Sequence, residues 1–310
     1  ATDHAIVIGG GYPVMQDYFR PGPPPNSLDP AGLTRELGNI FAPDEITLDD
    51  TLKLTLGMKL ETNSYTGLEY MPNARLAWKL SDETLLWSAI SRAVRTPSRF
   101  DTDLINPGIL AGGPDFVSED LIAYEAGYRG LLSQSLSLSV SLFYDTYTHM
   151  RSLEASGPTV FPLVILNNMR GSTYGAELWA NYEICDWWRI GAGLNTLHKD
   201  LSFVPGSHDV LGTQLEGNDP DYQVKLRSGM DLPGGVSLDV WLRGVGGLPN
   251  PAVPAYLEGD LRIGWEIRDG IELIVDGQNL FHAKHLEFIN PSLPPSEIPR
   301  SLYVGARWQF

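Results

Sequence analysis

The chain has 310 residues, of which 43% are hydrophobic and 19% charged, a composition that excludes intrinsic disorder. Its formal net charge of −16 argues against nucleic acid as a partner, because a protein that binds phosphates needs a basic surface. The single cysteine, Cys185, allows neither an intrachain disulfide nor a cysteine-based metal site. No run of about 18 apolar residues predicts a membrane-spanning helix.

The dominant pattern is alternation of apolar and polar residues with a period of two, which is typical of strands. The segment 257–268 has apolar residues at every second position and charged residues between them, and 52–61 and 222–231 repeat the pattern. We predict about fourteen strands, in chain order 4–12, 38–48, 51–62, 71–80, 83–95, 118–130, 135–150, 163–183, 188–201, 218–231, 235–246, 254–267, 270–281 and 300–310.

The connections alternate between tight turns and long segments. The long ones are 13–37, 63–70, 96–117, 151–162, 202–217, 247–253 and 282–299. Strands of about ten residues with long loops on one side only are typical of outer-membrane barrels, whereas sandwich strands have about 5–6 residues. Tryptophans near strand ends suit a membrane interface; they are Trp78, Trp87, Trp187, Trp188, Trp265 and Trp308. The predicted fold class is all-β, an antiparallel up-and-down transmembrane β-barrel.

Several segments carry more specific motifs. They read IFAPDEITLDDTLKLTLGMKLE (40–61), PNARLAWKLSDETLLWSAISRAVRTPSRFD (72–101), SEDLIAYEAGYRGLLSQSLSLSVSLFYDTY (118–147), NNMRGSTYGAELWANYEI (167–184) and DGQNLFHAKHLEF (276–288), followed by the terminal Phe310. In this order they resemble the barrel of TonB-dependent outer-membrane receptors. One departure is Ala42-Pro43, where the family usually has a hydrophobic residue and Gln. Because proline removes a ladder donor, we expect a bulge or weaker pairing there.

The resemblance implies an architecture and a function. A complete member has about 22 strands around a plug, so residues 1–310 are expected to be the C-terminal portion of a barrel, without plug or first strands. Since Ala1 begins abruptly, with no signal peptide, we expect a fragment or an N-terminal truncation. The implied function is TonB-coupled uptake of a ferric siderophore or similar metal chelate in a Gram-negative outer membrane. The implied partners are TonB, through the missing part, outer-membrane lipid, and the barrel assembly machinery through Phe310.

Three arginines in SRAVRTPSR, Arg92, Arg95 and Arg99, rise from a strand into a long loop. One interpretation is a basic patch that contacts an anionic ligand or the carboxylates of a plug. The other is that the three arginines are lumen charges that balance Asp and Glu on neighbouring strands. The aromatic residues Tyr18, Phe100 and Phe116 lie in or beside long loops and are candidates for stacking on a ligand. These six residues are the predicted ligand site.

No catalytic or metal site is expected. Paired carboxylates such as Glu119-Asp120 point to opposite faces of a strand and cannot flank one bond. His282 and His285 lie near Glu287 but lack a third fixed ligand. We therefore expect no enzyme activity and no cofactor. Two other interpretations remain open, a passive porin-like barrel and a soluble secreted carbohydrate-binding β-sandwich, because a sandwich alternates in the same way.

Overall fold

A computed structural model describes residues 3–21, 26–158, 160–213, 218–290 and 293–309, and Phe310 lies outside them. Fourteen long strands dominate the described chain. They are β1 (three collinear segments, Asp3–Ile6, Gly9–Gly11 and Val14–Tyr18), β2 (Gly32–Thr47), β3 (Leu52–Asn63), β4 (Gly67–Ser81), β5 (Thr84–Arg95), β6 (Glu119–Ser133), β7 (Leu136–Ala155), β8 (Leu163–Cys185), β9 (Trp188–Phe203), β10 (Tyr222–Leu232), β11 (Val236–Val245), β12 (Tyr256–Arg268), β13 (Ile271–Gln278) and β14 (Ser301–Trp308).

All fourteen belong to one sheet, in which each strand pairs antiparallel with the next in the chain. Within the described residues, β1 pairs only with β2 and β14 only with β13, so the barrel wall is open between them. Three short loop strands, Ser27–Leu28, Leu104–Asn106 and Leu110–Ala111, complete this 19-stranded sheet. Two short ribbons pair Leu248–Pro249 with Ala252–Val253 and Lys284–His285 with Ile298–Pro299. No helix in the described part of the chain is long and apolar enough to cross a membrane.

The predicted number of strands and the up-and-down order are confirmed, but two predicted long connections are wrong. Within the segment 13–37, Val14–Tyr18 pairs with residues 32–36 at the start of β2, from Val14↔Glu36 to Tyr18↔Gly32. The connection between β3 and β4 shrinks to 64–66. Both misses lie where the hairpins extend past the regular alternation of apolar and polar residues, so the sequence pattern does not mark the strands there.

Two prolines explain why β1 is interrupted. Its three segments keep one register against β2, from Asp3↔Thr47 to Tyr18↔Gly32. Val7 donates to Pro43 O at 3.0 Å, but Pro43 has no N–H to donate in return, and β1 is interrupted there. Pro13 interrupts β1 in the same way, because it accepts the Leu37 N–H at its carbonyl oxygen at 3.1 Å but has no N–H to donate in return. The weaker pairing predicted at Pro43 is therefore confirmed on the β1 side, while the β2–β3 register continues through it.

The two faces of the sheet differ sharply. On one, which we call the apolar face, the strand register places apolar residues that are each more than 35% exposed, such as Leu142, Leu194, Val224, Ile263 and Val275. The other, the charged face, carries the polar positions between them. In a barrel the apolar face meets lipid and the charged face lines the lumen.

The molecule has little conventional core. Its accessible surface is 18950 Å², against roughly 13,000 Å² expected for a compact protein of this mass. Among the described residues, five hydrophobic side chains are buried: Leu104, Phe116, Ile165, Met169 and Val253. A sandwich needs an apolar interior between two sheets. The β-sandwich interpretation is therefore wrong.

Aromatic side chains form a belt near each end of the apolar face. Near the short turns lie Trp78, Trp188, Trp265 and Trp308. Towards the long loops, the rings of Tyr124, Tyr144, Tyr174 and His198 follow one another across β6 to β9, with centroids 6.4, 6.5 and 5.3 Å apart. Such belts mark the two membrane interfaces of a barrel. Trp87, also predicted at an interface, instead lies on the charged face opposite Gly127.

The charged face is lined by ion pairs and flat aromatic rings. Across β10 to β14, Arg227, Asp239, Arg262, Glu272 and Arg307 alternate in sign, with successive N–O distances of 3.1, 3.8, 2.8 and 3.4 Å. Elsewhere on this face an aromatic residue lies directly opposite a glycine on the neighbouring strand. The pairs are Phe41/Gly9, Trp87/Gly127, Phe143/Gly175 and Trp179/Gly193. Each ring occupies the space that a Cβ on the glycine would fill.

Candidate functional site

The connection between β5 and β6 folds over the end of the sheet where the long loops gather. It begins with a short helix, Arg99–Thr102, capped by reciprocal hydrogen bonds between Ser98 and Asp101. The loop strand Leu104–Asn106 then pairs with Ser27–Leu28 from the first long loop and with Leu110–Ala111. Under it, Leu104, Phe116 and Ile165 form a small apolar cluster. This loop is therefore an ordered layer attached to the strand ends.

Arg99 holds two loops together. Its side chain is 6% exposed and its Nε donates to Asp103 Oδ2 at 2.9 Å. The same guanidinium donates to Asp17 Oδ1 on β1 and to the carbonyls of Pro30 and Ala31. A planar guanidinium has five donors, enough to serve all of these acceptors. Arg99 thus fixes the helix to β1 and to the loop that follows it.

Arg95 is the most accessible of the three arginines. Its Nε and one terminal nitrogen bind both oxygens of Glu119 at 2.8 and 2.7 Å, and the other donates to Asp101 at 3.0 Å. Its guanidinium carbon also lies 5.7 Å from the centre of the Phe116 ring. The side chain is 43% exposed. Arg95 therefore keeps one face open to solvent while it anchors β6 and the helix.

Arg92 lies on the other face of the sheet. Residues three apart on a strand point in opposite directions, and Arg92 pairs in register with Ile122 on the apolar face. It binds Asp120 and the carbonyl of Tyr70, and it lies 4.5 Å from the centre of the Tyr70 ring. The structure therefore does not bring Arg92 into one patch with Arg95 and Arg99.

The three predicted aromatic residues differ in exposure. Phe116 is 4% exposed and belongs to the apolar cluster. Tyr18 and Phe100 are 71% and 50% exposed. Phe100 follows Arg99, which binds Asp17. Tyr18 follows Asp17 on a strand and so points to the opposite side, and its register with Gly32 places it on the apolar face with Ile40. The exposed Phe100 ring is therefore carried on backbone that the Arg99–Asp17 pair holds in place, whereas Tyr18 faces away from this site.

Burial and hydrogen bonding shift the pKa of Asp101 in opposite directions. Its side chain is 1% exposed, and burial raises its pKa. Hydrogen bonds from the Ser98 backbone and hydroxyl, together with Arg95, outweigh burial and hold the pKa of Asp101 below its ordinary value. A carboxylate kept ionised at neutral pH is what the neighbouring arginines require.

The sequence analysis missed the acidic partners of the arginines and a second cluster on β12. Asp17 and Glu119 lie far along the chain from the arginines that they bind, and only Asp103, four residues after Arg99, has a spacing that could have signalled its pairing. In the second cluster, Glu258, 1% exposed, binds His282 Nδ1 at 2.7 Å. Only the histidine spacing signalled this cluster. Within the described ranges, no group of three or more His, Cys, Asp or Glu residues is placed to hold a metal ion.

The fold is similar to that of solved outer-membrane receptors. The siderophore receptor PirA of Pseudomonas aeruginosa matches with a TM-score of 0.76 at 16% identity, covering 100% of this chain and 54% of that one. The FrpB iron transporter of Neisseria meningitidis gives 0.77 at 13%, covering 99% and 52%. A mutant of the P. aeruginosa ferric enterobactin receptor PfeA gives 0.74 at 13%, covering 99% and 51%. The chain thus spans about half the length of these proteins.

Sequence comparisons assign the family. No curated protein sequence matches. The model of the family described as "TonB dependent receptor-like, beta-barrel" matches residues 2–280, which is most of the chain. This is a family of receptors and not of enzymes. The open fourteen-stranded wall, its two aromatic belts and this match agree, and the chain belongs to the TonB-dependent receptors as part of their β-barrel.

Proposed function

We propose that this chain, over residues 1–310, forms the C-terminal part of the barrel of an outer-membrane receptor that imports a ferric siderophore or a similar metal chelate. Import would be active and coupled to TonB through a plug outside this sequence, and the chain would catalyse no covalent reaction. Two of the structural neighbours are called siderophore or ferric enterobactin receptors, and one was solved in complex with enterobactin. Their names support the proposed class of ligand.

The observation that carries this proposal is the fixed presentation of Phe100 beside Arg95 at the long-loop end. The Phe100 ring is exposed, and the Arg99–Asp17 pair holds the backbone that carries it. A rigid exposed ring contacts a ligand at low entropic cost. Of the predicted site, Phe100 and Arg95 would touch the ligand, whereas Tyr18, on the side of the sheet that carries Ile40, would not. Arg92, Arg99 and Phe116 would position the loops.

The test is uptake of radiolabelled ferric enterobactin and other ferric chelates by cells that carry the receptor. Replacing Phe100 with alanine should lower uptake at least about tenfold, the effect of losing a major contact. Trp187→Ala is the matched control, since Trp187 is 46% exposed but lies at a short turn, and it should leave uptake unchanged. Equal uptake by Phe100→Ala would contradict the assigned contact.

Two further measurements separate the parts of the proposal. Uptake should stop in cells that lack TonB; uptake that continues would instead indicate a passive, porin-like barrel. Arg95→Gln should weaken uptake without displacing the loop, because Arg99 still holds the helix. The triple replacement of Arg92, Arg95 and Arg99 with glutamine should weaken uptake further, and unchanged uptake would contradict any role for the three cations.

A further inference from the structure

The last long loop presents one histidine in a defined orientation. His282 follows the end of β13, and its Nδ1 lies 2.7 Å from Glu258 Oε1. Glu258 is itself fixed, since its side chain is 1% exposed and its Oε2 accepts the Phe281 N–H at 3.1 Å. A carboxylate can only accept, so His282 Nδ1 carries the proton and Nε2 keeps its lone pair in the neutral ring.

The Nε2 atom of His282 is available to a ligand. The His282 side chain is 53% exposed, and the described residues offer no partner for Nε2. Glu258 belongs to the charged face, so the imidazole lies on the lumen side at the long-loop end. His285, three residues later, is 6% exposed and has Glu258 3.3 Å from Nδ1 and Glu287 2.9 Å from Nε2. His285 is therefore a packing residue, and His282 is the accessible member of the pair.

A carboxylate–histidine pair of this geometry is a common arrangement behind metal ligands, because the carboxylate fixes the tautomer and makes the free nitrogen more basic. One imidazole cannot hold a bare metal ion, which needs about three or four ligands. It can complete the coordination of a metal that arrives with most of its ligands. The geometry therefore suits a metal complex with an open or water-filled position.

We propose that His282 Nε2 coordinates the metal of an incoming chelate that leaves at least one coordination position unfilled, displacing a water molecule from it. This inference rests on the proposed uptake of metal chelates and narrows their class. Chelates that fill every position of the metal would gain nothing from His282. Glu258 is the positioning residue, since it holds the ring and does not touch the metal.

The test uses copper(II) iminodiacetate, a tridentate complex with open positions, added to the receptor in outer-membrane vesicles. Electron paramagnetic resonance should show a tightly bound copper with imidazole nitrogen coupling. His282→Ala should abolish this signal, and Glu258→Gln should weaken binding about 10- to 100-fold. His149→Ala is the matched control, because His149 is 56% exposed at the same end but its Nδ1 lies 3.4 Å from an aspartate that Arg92 shares. This control should leave the tight signal in place.

A tight signal that persists in His282→Ala, or that is missing from the unaltered receptor, would overturn the inference. Copper(II) ethylenediaminetetraacetate, whose ligand fills the metal's positions, should bind equally weakly to both forms; preference for the unaltered receptor would also count against coordination by His282. Uptake of ferric iminodiacetate, which likewise leaves positions open on the metal, in the same cells tests the proposed function separately. Loss of TonB-dependent uptake with an intact copper signal would remove that function and leave the histidine site standing.

Discussion

Replacement of Arg99 with glutamine should loosen the loop between β5 and β6 while leaving the sheet intact. The change leaves Asp17 and Asp103 without the guanidinium that they share. Removing one member of a buried ion pair costs about 3–5 kcal/mol. Because the site borders solvent, we take the lower value of about 3 kcal/mol, which corresponds to a roughly 100-fold larger population of the open loop.

Hydrogen–deuterium exchange measures this population directly, since local opening governs the protection of amides. The reporters are the amides of Asp103, Gly112 and Gly113, which donate to Arg99, Leu104 and Asp101 at 2.8, 2.7 and 2.9 Å. Their protection should fall about 100-fold in Arg99→Gln. Arg189→Gln, which breaks an exposed pair near the opposite rim, should leave them unchanged. A decrease of less than about fivefold, or equal loss across all strands, would refute the reasoning.

Two further predictions concern the same loop and the charged face. A spin label at Ile105 should remain immobile from neutral pH down to about pH 4 and become mobile as the pH falls further. The reason is that the pKa of Asp101 lies below its ordinary value of 3.8, so the ionised carboxylate stabilises the folded loop. The label should be mobile at every pH in Asp101→Asn, and mobility that begins near pH 6 in the unaltered protein would contradict this assignment. Gly127→Val should push the Trp87 ring off the charged face, since a Cβ there would lie 2.4 Å from the ring. Tryptophan emission should shift, whereas Gly305→Val, with no atom within 4 Å, should not shift it.

The sequence predicted the strands well where one side of each strand meets lipid and the other meets water. There the physical requirement is a strict alternation, and segments such as 257–268 show it clearly. It failed for Val14–Tyr18 and for residues 32–37, which continue the hairpin into water. At that height neither face needs to be apolar, so no regular alternation marks the pairing.

The predicted site was recovered only in part for a different reason. The sequence identified Arg95 and Phe116, which are in contact, and Arg99, on the short helix that Arg95 reaches through Asp101. Strand geometry places Arg92 on the other face. Asp103 follows Arg99 by four residues, a spacing that indicates a pair only once a helix is predicted there, whereas Asp17 precedes Arg99 by 82 residues and reaches it only when two loops fold together. Glu258 was missed likewise, since its histidine partners lie on a later loop.

The rings that lie opposite glycines on the charged face have an evolutionary consequence. In each pair, such as Trp179 and Gly193, the ring can lie over the neighbouring strand only because the facing residue has no side chain. A larger residue at the glycine would turn the ring into the passage, and a smaller residue at the ring would leave the glycine strand uncovered. The two positions should therefore change together among relatives, as a single unit that sets the width of the channel.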